Sequence, residues 1–176
     1  MKLKKVIISG GPGTGKSSII NELKNRGYLC FDEVWKKEYK NPKKTSNADE
    51  INTFSQYIFL ERLKHLETKP NKKTKGNLVF YDRSIIDTIS YLKTYKKNIK
   101  TSWEKLANKK RYHETIFFCP TWKEIYKQTD GRKESFQESI LIEKYLTSTY
   151  KKFLYKINTI PKLDIKNRVD YILENI

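Results

Sequence analysis

The chain has 176 residues and a mass of 21.0 kDa, enough for one domain with small insertions and a proper core, but short for two full domains. Hydrophobic residues make up 37% and charged residues 32%, yet 12 Tyr, 8 Phe and 3 Trp supply core material, which excludes a disordered chain. Lys and Arg number 37 against 20 Asp and Glu, a formal charge of +17 that brings nucleic acid, acidic lipid and phosphate-bearing metabolites into consideration as partners.

The lysines are scattered in runs no longer than two, the pattern of solvated faces rather than of a dedicated polyanion surface. Cys30 and Cys119 each sit in a short apolar run and belong to no CxxC or Cys/His pattern, so they read as small buried hydrophobes. No apolar stretch approaches the ~18 residues of a membrane span, and the N-terminus runs directly into a structured motif, leaving no room for a signal peptide. A soluble, cytoplasmic protein is expected.

In chain order, Leu3 to Ser9 holds the unbroken apolar run Val6-Ile7-Ile8 and stops at Gly10-Gly11-Pro12-Gly13, which predicts a central strand buried on both faces. Lys16 to Arg26 carries Ile19, Ile20 and Leu23 at helical spacing and ends at Gly27. Tyr28 to Phe31 is a second strand, followed by a polar helical piece from Asp32 to about Tyr39 and a turn-rich surface loop, Asn41 to Asn47. From Ala48 to Glu67, Ile51, Phe54, Ile58, Leu63 and Leu66 mark a long amphipathic helix, closed by Pro70-Asn71-Lys72-Lys73.

Asn77 to Asp82 is a third strand that ends in a carboxylate, and Ser84 to about Tyr95 a helix with Ile85, Ile89 and Leu92 on one face. A helix over Ser102 to Lys110 and a strand over Glu114 to Cys119 come next, then a polar segment, Gln128 to Ser135, around Asp130-Gly131-Arg132. Phe136 to Leu154 places Phe136, Ile140, Tyr145, Leu146, Tyr150 and Phe153 along a helical stripe; Tyr155 to Ile160 is the fifth strand and Lys166 to Glu174 the last helix. Unalternated strands separated by helices predict a three-layer α/β fold, one domain over residues 1–176, around a parallel sheet with helices on both faces.

Gly10 to Ser17 fits G-x-x-x-x-G-K-[ST] without a mismatch, between a predicted strand and a predicted helix. Glycines let successive backbone N–H groups ring a phosphate chain at a helix N-terminus, so Gly10, Gly11, Gly13, Thr14, Gly15, Lys16, Ser17 and Ser18 are the candidate nucleotide-binding residues. Lys16 would span the β- and γ-phosphates of ATP or GTP, and the Ser17 hydroxyl would bind Mg²⁺.

Asp82 ends the third strand on the same sheet edge, where it would hold Mg²⁺ through water, or else cap the next helix, while Arg83 beside it would pair with phosphate oxygens or position a substrate hydroxyl. Glu33, preferred to Asp32, would take the proton of an acceptor hydroxyl, the competing account being that both acids stabilise a helix N-terminus. Asp130-Gly131-Arg132 reads either as a lid near 128–135, with Arg132 closing over the transferring phosphoryl group, or as an ordinary charged turn.

The loop Gly10 to Ser17, Asp82-Arg83 with Asp87 beyond it, and the Asp130-Gly131-Arg132 segment leading into a long helix together resemble the small AAA-type P-loop proteins related to nicotinamide-riboside kinase. The resemblance covers nearly the whole chain and implies the nucleoside and nucleotide kinase fold of the P-loop NTPases: a five-stranded parallel sheet in order 2-3-1-4-5, a lid, and use of Mg-ATP or Mg-GTP. Asp82-Arg83-Ser84, and Glu33-Val34 near Trp35, also resemble deoxynucleoside kinases. Two functions stay open: a phosphotransferase acting on a small hydroxyl acceptor such as a nucleoside, and a nucleotide-dependent binding or regulatory module whose basic surface meets nucleic acid or acidic lipid. Gln56, near Phe54 and Tyr57, faces either a nucleobase or the core.

Overall fold

The computed structural model describes residues 2–34, 48–70, 74–127 and 134–176, and only the backbone of residues 48–52. Strand β1 (Lys4–Gly10) leads into helix α1 (Lys16–Asn25), followed by β2 (Leu29–Phe31), α2 (Ala48–Glu67), β3 (Leu78–Asp82), α3 (Ile85–Thr94) and α4 (Thr101–Lys109). The chain continues through β4 (Thr115–Cys119), α5 (Phe136–Lys152), β5 (Lys156–Thr159) and α6 (Ile165–Glu174). All pairings are parallel, in the order β2-β3-β1-β4-β5, so the expected sheet and topology are found.

Strand β1 is central because its side chains serve two cores. Ile7 joins Phe59, Ile85, Ile89, Leu146 and Tyr150 on one face, whereas Val6 and Ile8 join Ile19, Leu23, Val169 and Ile172 on the other. α1 packs on α6 beneath the sheet, while α3 packs on α2 and α5 above it. The three-layer arrangement thus follows from the unalternated apolar run of β1.

Ser84 and Asp87 form a reciprocal capping box on α3, Ser135 and Glu138 another on α5, and Asp164 caps α6. The cap of α3 is therefore Ser84, which removes the reading of Asp82 as a helix cap. The stripe expected on α5 holds at Leu146, Tyr150 and Phe153 but not at Ile140, which is 50% exposed, while Ser139, Ile142 and Thr149 are buried beside it. Asp32 to Val34 are not helical, and the rest of the expected helix to Tyr39, the loop Asn41 to Asn47 and Asn71 to Lys73 lie outside the described residues.

Candidate active site

At the carboxyl end of β1 the chain turns through Gly10, whose φ of 146° and lack of a side chain are both needed: a Cβ there would lie 2.4 Å from the Cys119 carbonyl oxygen of β4. Gly15, at φ 83°, closes the loop as the left-handed N-cap of α1. Lys16 is only 6% exposed and folds into its own loop, where its ammonium donates to the Gly11 carbonyl (2.5 Å) and the Thr14 hydroxyl (3.3 Å). Burial, then the Arg83 charge, push its pKa down to about 8. Ser18 lies exposed on the first turn of α1.

Ser17 Oγ donates to Asp82 Oδ2 at 3.4 Å, so the loop hydroxyl and the strand-end carboxylate converge. Two hard oxygen donors beside a phosphate loop are the donor set that suits Mg²⁺, which keeps several waters and takes few protein ligands. Ser17 and Asp82 would hold it.

Next to the loop lies a buried cluster of charges. Asp32 turns outward to pair with Lys24, whereas Glu33 turns inward and is 5% exposed. Its Oε1 accepts from Arg62 Nη2 and its Oε2 from Arg83 Nε. Burial alone would raise its pKa, but Arg83, then Arg62 and Lys16, outweigh it and hold the carboxyl below the ordinary range. Glu33 is therefore ionised at neutral pH.

Arg83 has a left-handed backbone, φ 74°, at the tip of β3. A non-glycine residue held there is strained by about 1–3 kcal/mol, and such strain is found where a side chain must be aimed. Here the aim is threefold: Nε to Glu33, Nη1 to the Gly10 carbonyl of the phosphate loop (3.0 Å), and the guanidinium over the Tyr91 ring at 5.2 Å.

Asp87, fully buried, lies 3.6 Å from Arg83 Nη1 and accepts from Ser9 Oγ (2.7 Å), the Ser84 backbone N–H (2.8 Å) and the Tyr150 hydroxyl. Burial would raise its pKa as well, but Arg83 and Arg62, with the Tyr150 and Ser9 hydrogen bonds, hold it down. Tyr150→Phe removes one donor while the Ser84 N–H and hydroxyl stay on the same oxygen. The expected loss is about 1–2 kcal/mol, read as a shift of the urea midpoint at constant m.

The sign of the acid response follows. Both carboxyls have folded pKa values below their unfolded ones, about 3.9 for Asp and 4.3 for Glu, so the stability they contribute is complete above that range and is lost as pH falls through the depressed folded values. The urea midpoint is expected to hold from pH 7 to about pH 5 and then decline. A decline that begins near pH 6 would contradict these assignments.

The structure thus brings together Gly10 to Ser18, Glu33, Asp82 and Arg83. Arg132 and most of the lid expected over 128–135 lie outside the described residues. Gln56 is exposed, and its side-chain oxygen accepts from Lys100 Nζ at 2.6 Å, so it faces neither the core nor the charge cluster. Cys119 is buried and Cys30 half-buried, both free thiols.

Sequence reasoning missed Arg62, Tyr150 and Arg168. Arg62 reaches across from α2 to Glu33, to Thr88 Oγ1 (2.9 Å) and to the Ser84 carbonyl (3.3 Å). Its signal was available: Arg62 falls midway between Ile58 and Leu66 on the buried face of α2, where a surface cation has no reason to be. Among the described residues no helix is long and apolar enough to cross a membrane.

Compared with solved structures, the fold is similar to deoxyadenosine kinase from M. mycoides with bound dATP, at a TM-score of 0.71, 18% identity, and 97% and 98% coverage of the two chains. It is also similar to thymidylate kinase from Ehrlichia chaffeensis (TM-score 0.62, 14% identity, 99% of each chain). A third likeness is to NadR protein in complex with NAD and AMP-PNP (TM-score 0.67, 18% identity), of which the chain spans 49% while 97% of the chain itself is covered. No curated protein matches the chain in sequence. A sequence profile described as AAA domain matches residues 5–168, from the first residues of β1 to the first turn of α6, and the protein belongs to that family, in the kinase-like form of the P-loop fold.

Proposed function

We propose that the protein is a phosphotransferase that moves the γ-phosphoryl group of ATP or GTP onto the hydroxyl of a small acceptor, a nucleoside or a related metabolite. One observation carries this reading: a buried Glu33 carboxyl fixed by two arginines, one of which also holds the phosphate loop. A module that only binds nucleotide makes no chemical use of a carboxylate so placed, and stimulation by an acceptor separates transfer to a hydroxyl from transfer to water.

The loop N–H groups and Lys16 receive the phosphates, Lys16 exchanging the Gly11 carbonyl for phosphate oxygens. Bound by Ser17 and Asp82, Mg²⁺ would neutralise charge on the β- and γ-oxygens. Glu33 accepts the acceptor's hydroxyl proton through a lone pair that its arginines leave open, and Arg83 orients that hydroxyl. Positioning and charge neutralisation supply most of the rate in such reactions. Arg132 is proposed to neutralise charge on the transferring phosphoryl group.

The test is Mg²⁺-dependent release of ADP or GDP at physiological salt against ribo- and deoxynucleosides, nicotinamide riboside, nucleoside monophosphates and short RNA and DNA. One small acceptor should stimulate release, and Lys16→Ala should abolish it. Stimulation by polynucleotide alone, lost between ~50 and ~200 mM salt, would instead favour the reading in which the basic surface binds nucleic acid. The kinase-like fold matches give that second reading no support.

A further inference from the structure

Arg168, in the first turn of α6, is 1% exposed and lies behind the phosphate loop. Its Nη2 donates to the Thr14 carbonyl at 3.0 Å, and its Nη1 lies 2.7 Å from where a side chain on Gly15 would begin. Nε and Nη1 are buried with no hydrogen-bond partner, and among the described residues no carboxylate pairs with the guanidinium. The Trp122 ring lies 6.0 Å away. Cys119 is close enough to feel the charge, but burial pushes its thiol up to about 11, so it supplies no counter-anion.

A buried cation without a partner is costly, and a long apolar side chain would fill the same space without that penalty. Among the described residues nothing answers the charge, and a bound anion would do so. The one hydrogen bond of Arg168 says how. In a trans peptide unit the C=O and N–H point in opposite directions, so a Thr14 carbonyl drawn toward α6 sends the Gly15 N–H the other way, away from α6. Ser139 Oγ does the same from α5 by donating to the Pro12 carbonyl at 3.2 Å.

We propose that Arg168 is a positioning residue for the nucleotide's phosphate chain: through the Thr14 carbonyl it turns the Gly15 N–H into the loop, and its uncompensated charge behind the loop favours ligands with more phosphates. Resting on the phosphotransferase reading, the inference names the group that sets nucleotide affinity from outside the motif, some 150 residues away in sequence.

Calorimetric titration of the wild type, Arg168→Met and Arg168→Lys with the mono-, di- and triphosphate of the nucleoside that the wild type prefers tests it, with the melting temperature of each. In Arg168→Met the affinity gap between monophosphate and triphosphate is expected to shrink by about 10- to 100-fold, the span of one charge-assisted hydrogen bond, while monophosphate affinity stays within about threefold. Arg168→Lys keeps stem and charge and should recover part of the gap; it also carries the test if the methionine variant does not fold. Equal loss for all three ligands would make Arg168 a scaffold residue and overturn the proposal, as would an unchanged gap in either variant. A wild type that binds none of the ligands would instead overturn the phosphotransferase reading itself, with the proposal that rests on it.

Discussion

Glu33→Gln lowers kcat by about 10²- to 10⁴-fold while nucleotide affinity changes little, the expected signature of a lost general base. Glutamine keeps the volume of the side chain and one oxygen able to accept from Arg62 or Arg83, but it has no charge with which to draw off a proton. The change also leaves two buried guanidiniums facing the single remaining carboxylate of the cluster, Asp87, so part of the effect falls on stability. Single-turnover rates with saturating nucleotide and acceptor, read beside a urea titration of the same variant, separate the two. A kcat within threefold of the wild type, in a variant that folds, would remove Glu33 from the chemistry.

Arg83→Ala is expected to give the largest combined loss, about 3–5 kcal/mol of stability together with at least 10²-fold in phosphoryl transfer. Glu33, Asp87, Arg62 and Arg83 form a cluster whose formal charges cancel, and none of the four is more than slightly exposed. Removing Arg83 leaves two buried carboxylates to share Arg62, and the Gly10 carbonyl loses its donor. Arg83→Lys should recover little, because a single ammonium cannot reach Glu33, Gly10 and Asp87 in the directions that a planar fork does. The measurements are the urea midpoint and the initial rate of ADP or GDP release. An Arg83→Ala protein as stable as the wild type would mean that the cluster is held by Arg62 alone.

The parts of the site that are local in sequence were legible. The phosphate loop follows an apolar strand and opens a helix, and each of those signals spans ten residues or fewer. Asp82, Arg83 and Glu33 could be placed because strand ends in a parallel sheet share an edge. Arg62, Tyr150 and Arg168 could not be placed in that way. They reach the site from the second half, the last turn and the first turn of three helices, over separations of 29, 63 and 154 residues, and local spacing reports at most that such a side chain is buried, not what it reaches.

Composition held a further signal. The chain has 31 lysines and only 6 arginines, and 3 of those 6, Arg62, Arg83 and Arg168, are buried at the site. Where a solvated cation suffices this sequence uses lysine, so its rare guanidiniums mark positions that need a planar fork and tolerate burial. The exposure of Ile140 has the opposite origin: α5 carries apolar residues on more than one face, and tertiary packing, Ser139 against the Pro12 carbonyl of the phosphate loop and Ile142 in the core shared with α3, buries these two and leaves Ile140 and Leu141 outside.

Arg83 bonds to the prospective base on one side and to the phosphate loop on the other through nitrogens of one rigid planar group, set on a backbone conformation with little latitude. A ligand that draws the guanidinium toward either half must alter its grip on the other. On the phosphotransferase reading, nucleotide and acceptor should therefore be thermodynamically linked, each shifting the other's affinity by the same factor through a single side chain.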